Sequence, residues 1–111
     1  MFDLTKLKNN NAIFWVFLFP EIRRVASEGG WAIGVHGSIT NDLDLMAMPW
    51  IENHITADEL AERIQEVVDN QGRKYVKTKG EKPNNRVVYT IFAGNTYIDM
   101  NVIKENYDKE I

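Results

Sequence analysis

The chain has 111 residues, no cysteine and a formal net charge of −3. Its length is typical of one domain, and its hydrophobic fraction of 44% is enough for a modest core, which argues against disorder. The absence of cysteine excludes a disulfide scaffold, a thiolate metal site and a cysteine nucleophile, and the small negative charge argues against a protein that binds polyanions over its whole surface.

An apolar run precedes the first predicted strand. The run, AIFWVFLF at 12–19, is too short to span a bilayer and lacks the flanks of a signal peptide. We therefore expect a core helix, no membrane partner and a cytoplasmic location. The helix should extend from Asn11 to about Ser27, with its first half buried because that half is apolar nearly all round. Pro20 predicts a kink or a break near Phe19, because proline lacks a backbone donor and clashes with the preceding turn.

Two strands and an amphipathic helix follow. WAIGVHG at 31–37 and DLDLMAMPW at 42–50 have the composition of strands, and only SITN joins them, which predicts an antiparallel pair. The segment ITADELAERIQEVVDNQG at 55–72 predicts a helix, with Thr56 as its N-cap and Glu59 completing a capping box. One apolar stripe of this helix should face the core, and it consists of Leu60, Ile64, Val67 and Val68.

Three further strands complete the predicted fold. They are KYVKT at 74–78, RVVYTIFA at 86–93 and TYIDMNVI at 96–103, and the dipeptide Gly94-Asn95 predicts a tight hairpin between the last two. The order of elements predicts an α+β fold, with a mixed or antiparallel sheet and the helices packed on one face. We expect a single domain over 1–111 with an ordered core at about 12–103.

Three aspartates stand at positions that a strand would direct to one face. Side chains in a strand alternate, so Asp42 and Asp44 point the same way, about 6–7 Å apart at their Cα atoms. Asp99 lies in the last strand, on the face opposite its apolar residues. If the two strands are neighbours, three carboxylates meet on the open face and repel one another unless a cation neutralises them. Oxygen ligands of this kind suit Mg²⁺ or Mn²⁺, whereas the alternative is a solvated sheet face without an ion.

A basic segment separates the second helix from the last two strands. The sequence RKYVKTKGEKPNNR at 73–86 contains six basic residues and one acidic residue. Such a segment either faces phosphates or forms a solvated surface hairpin. Two other side chains also leave alternatives open. His36 either orients a substrate or is a structural histidine, and Trp50 either stacks on a base or closes the edge of the core.

The acidic residues belong to a longer pattern. Gly37-Ser38, then Asp42-Leu43-Asp44-Leu45, then an aspartate on a later strand, resembles the DNA polymerase β-like nucleotidyltransferase superfamily. The order of elements also resembles the minimal core of that superfamily, over roughly residues 12–103. The segments HGSITNDLDLMAMPW and GEKPNNRVVYTIFAGNTYIDMNVI resemble small proteins encoded by tailed bacteriophages.

The resemblance implies roles for five residues. In the superfamily a Gly-Ser turn holds nucleotide phosphates, and a D-x-D pair with a third aspartate holds two divalent metals. Gly37 and Ser38 would accordingly contact phosphate. Asp42 and Asp44 would bind two Mg²⁺ or Mn²⁺ ions, and Asp99 would bind one of them and help to deprotonate the acceptor hydroxyl.

The spacer between these two motifs is short. The superfamily usually has a short helix there, whereas only three residues, 39–41, intervene in this chain, and three residues cannot form a helix whose N-terminus binds phosphate. The basic segment is the expected replacement, through Lys77, Lys79, Lys82 and Arg86.

Two functions are therefore expected. The first is a metal-dependent transferase that moves a nucleotide from a nucleoside triphosphate to an acceptor, which would be a host protein, an RNA end or a small molecule. A homo-oligomer or a partner would complete its site. The alternative is a catalytically inactive phage protein of the nucleotidyltransferase fold, which binds a nucleotide or a host protein in the host cytoplasm.

Overall fold

The computed structural model describes residues 11–37, 39, 41–68, 72–79 and 87–103. Within these residues the elements are α1 (Asn11–Glu28), β1 (Trp31–Val35), β2 (Leu43–Pro49), α2 (Ala57–Val68), β3 (Val76–Lys79), β4 (Val87–Ala93) and β5 (Thr96–Val102). The strands form one sheet in the order β1-β2-β5-β4-β3. β2 and β5 are parallel and the other neighbouring pairs are antiparallel. The predicted α+β fold with a mixed sheet is confirmed.

One face of the sheet forms the core with the two helices. α1 packs against β1 and α2, and α2 packs against β4. Burial alternates along the central strands, as expected when helices cover one face only. The fully buried side chains of these strands include Leu43, Leu45, Tyr89, Ile91, Ile98, Met100 and Val102. We call the uncovered side of the sheet the open face.

The start of α2 and the hairpin between β4 and β5 agree with the predictions made from the sequence. The Thr56 hydroxyl accepts a hydrogen bond from the Glu59 N–H at 3.1 Å, so Thr56 is the N-cap as predicted. Leu60 and Ile64 of the predicted stripe are fully buried. The hairpin turns at Gly94, whose φ of +64° is in the left-handed region that glycine adopts without strain. Ala93 therefore pairs with Thr96, which fixes the register of β4 against β5.

The first half of α1 differs from the prediction. Trp15 is fully buried, but Phe14, Val16 and Phe17 are 38%, 57% and 78% exposed, so the expectation that this half is buried all round is wrong. A helix that packs by one face buries a stripe and leaves its other side chains in water, however apolar they are. None of the helices in the described part of the chain is long and apolar enough to cross a membrane.

Pro20 does not interrupt α1. The helix continues from Asn11 to Glu28, so a break near Phe19 is excluded and only a kink is compatible with the structure. Pro20 removes the hydrogen bond to the carbonyl four residues earlier, in Val16. Both residues are exposed, so water can solvate that carbonyl.

Trp50 does not close the edge of the core. Its side chain is 58% exposed, whereas Trp31 is 1% exposed and fills the core beside it. The Trp31 indole N–H donates a hydrogen bond to the Ile55 carbonyl at 2.8 Å, which satisfies its polar atom. The sequence alone did not distinguish these two tryptophans.

Candidate metal centre

The parallel pairing of β2 with β5 brings the three aspartates together. Asp44 pairs directly with Asp99 across the two strands, and Asp42 lies one residue before β2 begins. Leu43 and Leu45 between and beside the acids are fully buried, so the acids point to the open face. The predicted neighbourhood of these two strands is confirmed.

The distances between the carboxylates suit a hard divalent cation. Asp42, Asp44 and Asp99 each offer one oxygen, these oxygens lie within 4.8 Å of one another, and all three residues are partly buried. Oxygens around one Mg²⁺ lie about 2.1 Å from the ion, so two on opposite sides are about 4.2 Å apart. Two ions in a shared site lie about 4 Å apart. Small side-chain rotations would therefore bring this set onto one ion or two.

The electrostatic surroundings of Asp44 also favour a bound cation. Partial burial raises the pKa of the Asp44 carboxyl, and the negative charges of Asp42 and Asp99 raise it further. The neighbouring His36 acts in the opposite direction and lowers the pKa of Asp44. The carboxylate form of Asp44 is thus disfavoured without an ion, and a divalent cation would relieve both the burial and the repulsion.

Two hydroxyl groups orient the acids, and neither was among the site residues predicted from the sequence. Thr90 lies opposite Asp99 on β4 and donates a hydrogen bond to Asp99 Oδ1 at 2.8 Å. The Tyr97 hydroxyl hydrogen-bonds Asp42, and the negative charge of Asp42 is the largest cause that raises the pKa of Tyr97. Counting back from the hairpin at Gly94 would have placed Thr90 opposite Asp99.

A buried hydrogen-bond chain holds the residue before Asp42 in place. The Thr96 hydroxyl donates to the Asn41 carbonyl at 2.6 Å and accepts from the Trp15 indole N–H at 3.1 Å. The Asn11 side-chain amide donates to Asn41 Oδ1 at 2.9 Å. Thr96 and Asn11 are only 5% and 8% exposed. The loop that carries Asp42 is therefore fixed to both α1 and β5.

The loop between β1 and β2 contains the other predicted site residues. The His36 backbone N–H donates to the Asp44 carbonyl at 2.8 Å, so His36 lies opposite Asp44 and shares the open face. His36 is exposed, which disfavours a buried structural role. Gly37 has a φ of +80° and is also exposed. Ser38 lies outside the described residues.

The structure does not bring Lys77 to the acids. It pairs with Tyr89, whose side chain is buried beneath the helices, so Lys77 points to the covered side of the sheet. The side chain of Lys79 lies outside the part of the chain that the structure describes. Lys77 Nζ contacts Asp58 Oδ1 at 3.1 Å, and the Tyr89 hydroxyl donates to the same oxygen at 2.5 Å. The other two predicted phosphate contacts, Lys82 and Arg86, lie outside the described residues.

A different cation of the basic segment lies on the open face. The Arg73 guanidinium carbon is 3.8 Å from the centre of the Phe92 ring. Phe92 pairs with Tyr97 and belongs to the open face, because Ile91 and Ala93 beside it are buried. Arg73 belongs to the predicted basic segment but was not among the predicted site residues, and no turn next to β3 in the sequence fixes the face on which it lies.

No protein family, curated protein or solved structure matches this chain. The resemblance to nucleotidyltransferases therefore stays a prediction that rests on the motif residues.

Proposed function

We propose that the protein is a nucleotidyltransferase that uses Mg²⁺ or Mn²⁺ to move a nucleotide from a nucleoside triphosphate to an acceptor hydroxyl. The observation that supports this proposal is the convergence of Asp42, Asp44 and Asp99, whose carboxylate oxygens lie within 4.8 Å on the open face of the sheet. A bound divalent cation supplies Lewis acidity, which stabilises the negative charge that develops on the α-phosphate. Carboxylates are the ligands that these ions prefer.

The acids and their hydroxyl partners have distinct tasks in this reaction. Asp42 and Asp44 hold the metal, and the Tyr97 hydroxyl orients Asp42 through its hydrogen bond. Asp99 Oδ1 accepts from Thr90, so we assign the other oxygen, Oδ2, to the proton of the acceptor. These hydrogen bonds limit the rotation of the carboxylates, and a fixed geometry is what transition-state stabilisation requires.

The proposed step balances without any further reactant. The acceptor oxygen forms a bond to the α-phosphorus, and the bond from that phosphorus to the oxygen bridging to the β-phosphate breaks. Pyrophosphate leaves with the electron pair of that bond, and the acceptor proton passes to Asp99. The acceptor is a hydroxyl on a host protein, an RNA end or a small molecule, and a second copy of the chain or a partner would complete the site. On this proposal the protein acts in the cytoplasm of a phage host.

A second candidate is a protein that binds a nucleotide or a host protein without turnover. The observation that favours it is the loop from His36 to Asp42, in which none of the described residues is helical. A helix N-terminus would supply backbone N–H groups to the triphosphate, and the described part of this loop has none. The three orienting hydrogen bonds at Asn41 and Asp99 favour the enzyme instead, because a binding surface does not need carboxylates held in fixed positions.

A labelled-triphosphate assay tests the proposed function. Each of the four nucleoside triphosphates is incubated with Mg²⁺ or Mn²⁺ and host extract, and release of pyrophosphate is measured. Turnover should vanish in the double variant Asp42→Ala, Asp44→Ala and fall sharply in Asp99→Ala. It should persist in Glu66→Gln, which removes an exposed carboxylate from α2 on the covered side of the sheet.

The outcomes separate the two candidates. Pyrophosphate release that depends on the three aspartates supports the transferase. No release with any nucleotide, together with nucleotide affinity by calorimetry, would support the binding protein. Absence of both turnover and affinity would reject both functions and leave only the fold.

A further inference from the structure

We propose that Arg73, stacked on Phe92, binds the β- and γ-phosphates of the nucleotide whose α-phosphate lies at the three aspartates. This inference rests on the proposed function, because it assigns a partner to the phosphate chain of the same substrate. The phosphate chain of the nucleotide would then lie over β5 and β4, on the side of the three aspartates that faces away from Gly37.

The pairing of β4 with β5 sets the position of the Phe92 ring, on which the guanidinium is stacked. Phe92 is directly opposite Tyr97, and Tyr97 precedes Asp99 by two residues on the same face. Diagonal neighbours of this kind lie about 7–8 Å apart at their Cα atoms. The Arg73 guanidinium carbon lies 3.8 Å from the Phe92 ring centre. The ring on which this positive charge is stacked therefore belongs to a residue one diagonal step from Asp99, a separation that a triphosphate can span.

The stacking contact uses the flat face of the guanidinium and not the N–H groups that bind phosphate. A guanidinium contacts an aromatic ring through its flat face, whereas its five N–H donors lie in its plane. It can therefore donate two parallel hydrogen bonds to a phosphate while it stays stacked, alongside other partners. The ring also restricts the rotamers of an otherwise exposed side chain, so less conformational entropy is lost when a ligand binds.

Two other cations that the structure describes in this segment have different surroundings. Lys77 is on the covered side of the sheet and contacts Asp58 of α2, and Lys74 Nζ lies 6.0 Å from the centre of the Tyr75 ring. The sequence segment was selected for its charge, but Arg73 and Lys77 lie on opposite faces of the sheet. Arg73 is the member that the structure places beside Phe92 on the acidic side.

A simpler role for Arg73 would be to balance the charge of the acids, and the two roles predict different results for polyphosphate binding. If Arg73 only balances charge, its removal strengthens metal binding and leaves phosphate binding unchanged once the metal is bound. If Arg73 binds phosphate, its removal weakens polyphosphate binding, while metal binding is unchanged or slightly stronger because a nearby positive charge is gone.

Calorimetry with two probes tests the inference. The first probe is Mn²⁺ alone and the second is tripolyphosphate added to the Mn²⁺-loaded protein. Arg73→Met should weaken tripolyphosphate binding about ten- to a hundredfold, which is the range for a lost pair of charge-assisted hydrogen bonds. Arg73→Lys should recover only part of this loss, since an ammonium cannot bind phosphate through a planar pair of donors.

Lys77→Met is the matched control. It removes one positive charge from the same segment on the covered side of the sheet, so it should leave tripolyphosphate affinity within about twofold, a free-energy change below roughly 0.5 kcal/mol. Equal losses in Arg73→Met and Lys77→Met would overturn the inference, because they would indicate a general effect of charge. Wild-type affinity in Arg73→Met would also overturn it.

Failure of the inference is distinguishable from failure of the proposed function. If the wild-type protein binds Mn²⁺ and tripolyphosphate but Arg73→Met has no effect, only the role of Arg73 is rejected. If Mn²⁺ binds but tripolyphosphate does not, the inference is rejected and the metal centre stands. If wild type and Asp44→Asn both fail to bind Mn²⁺, the metal centre and the inference are rejected together.

Discussion

Asp44 and Asp99 lie directly opposite each other on parallel neighbouring strands, with both side chains on the open face of the sheet. Like charges at directly opposite positions destabilise a sheet, and Asp42 adds a third negative charge. Partial burial is the largest cause of the raised pKa of Asp44, and repulsion from Asp42 and Asp99 raises that pKa further. The metal-free fold therefore retains an unfavourable pair that a divalent cation would convert into a favourable one.

Asp44→Asn should leave the metal-free protein as stable as wild type, or more stable by up to about 1 kcal/mol, because it removes one of three mutually repelling charges. A raised carboxyl pKa means that the folded state binds the proton more tightly than the unfolded state. Wild-type stability should accordingly rise as pH falls from neutral through the window between the raised value and the ordinary aspartate value, and this rise should shrink in the variant. Urea unfolding in EDTA between about pH 4, near the ordinary aspartate value, and about pH 8 measures both effects.

Metal supplies the control for this prediction. Mn²⁺ that binds only the folded state stabilises it by mass action, so saturating Mn²⁺ should raise the unfolding midpoint of wild type. Asp44→Asn should gain much less stability from Mn²⁺. Wild type should therefore be more stable than the variant in saturating Mn²⁺. A clear loss of midpoint for Asp44→Asn in EDTA would instead make Asp44 a structural residue.

Asp58 should show the opposite dependence on pH. The hydrogen bond from Tyr89 lowers the pKa of Asp58, and Lys77 lowers it further against a smaller opposing effect of burial. A lowered pKa contributes stability that is present above the ordinary aspartate value and is lost as pH falls through the folded value. We expect Asp58→Asn to lose up to about 1 kcal/mol at pH 7, a small amount because the Asp58 side chain is 51% exposed and water screens its charge, and less at pH 2, where wild-type Asp58 is more protonated. Urea unfolding at the two pH values checks it, and an equal loss at both would contradict the ionic part of the explanation.

The face of each aspartate could be predicted from sequence, whereas the face of each lysine could not. The two-residue turn at Gly94 fixes the register of β4 against β5, and the spacing of Asp42 and Asp44 defines their common face. Residues 80–86 connect β3 to β4, and a connection of that length sets no register. A slip of one residue would move Lys77 to the other face of the sheet, so only the three-dimensional structure shows which face it occupies.

Which apolar side chains of α1 are buried could not be predicted from the sequence either, for a different reason. An apolar side chain shows that burial is favourable, but not that another element is available to cover it. Trp15 faces the sheet and is fully buried, whereas Phe17, half a turn further on, is 78% exposed. Nothing in the run of apolar residues at 12–19 distinguishes these two positions.

Substitutions at these two positions should therefore differ in effect. Phe17→Ser should change the free energy of unfolding by less than about 0.5 kcal/mol, since serine and phenylalanine have similar helix propensities and the position is exposed. Trp15→Phe should lose about 1–3 kcal/mol, because it removes buried volume and the hydrogen bond to Thr96. Denaturant unfolding of the two variants checks this. A large loss in Phe17→Ser would mean that something covers this side chain in solution.

Thr96 should connect the stability of the fold to the affinity of the metal centre. Its hydroxyl accepts from the Trp15 indole and donates to the carbonyl of Asn41, the residue before Asp42. Thr96→Val keeps the shape but removes the hydrogen bonds to the fully buried Trp15 indole and to the Asn41 carbonyl, so unfolding should become easier by about 1–3 kcal/mol. The loop that carries Asp42 should also lose its fixed position, and Mn²⁺ affinity should fall about tenfold, at the low end for groups that orient metal ligands. Thr96→Ser, which keeps the hydroxyl, should retain the affinity. Unfolding in EDTA and calorimetry with Mn²⁺ measure the two effects separately, and a loss of stability with unchanged affinity in Thr96→Val would show that Thr96 supports the fold without positioning Asp42.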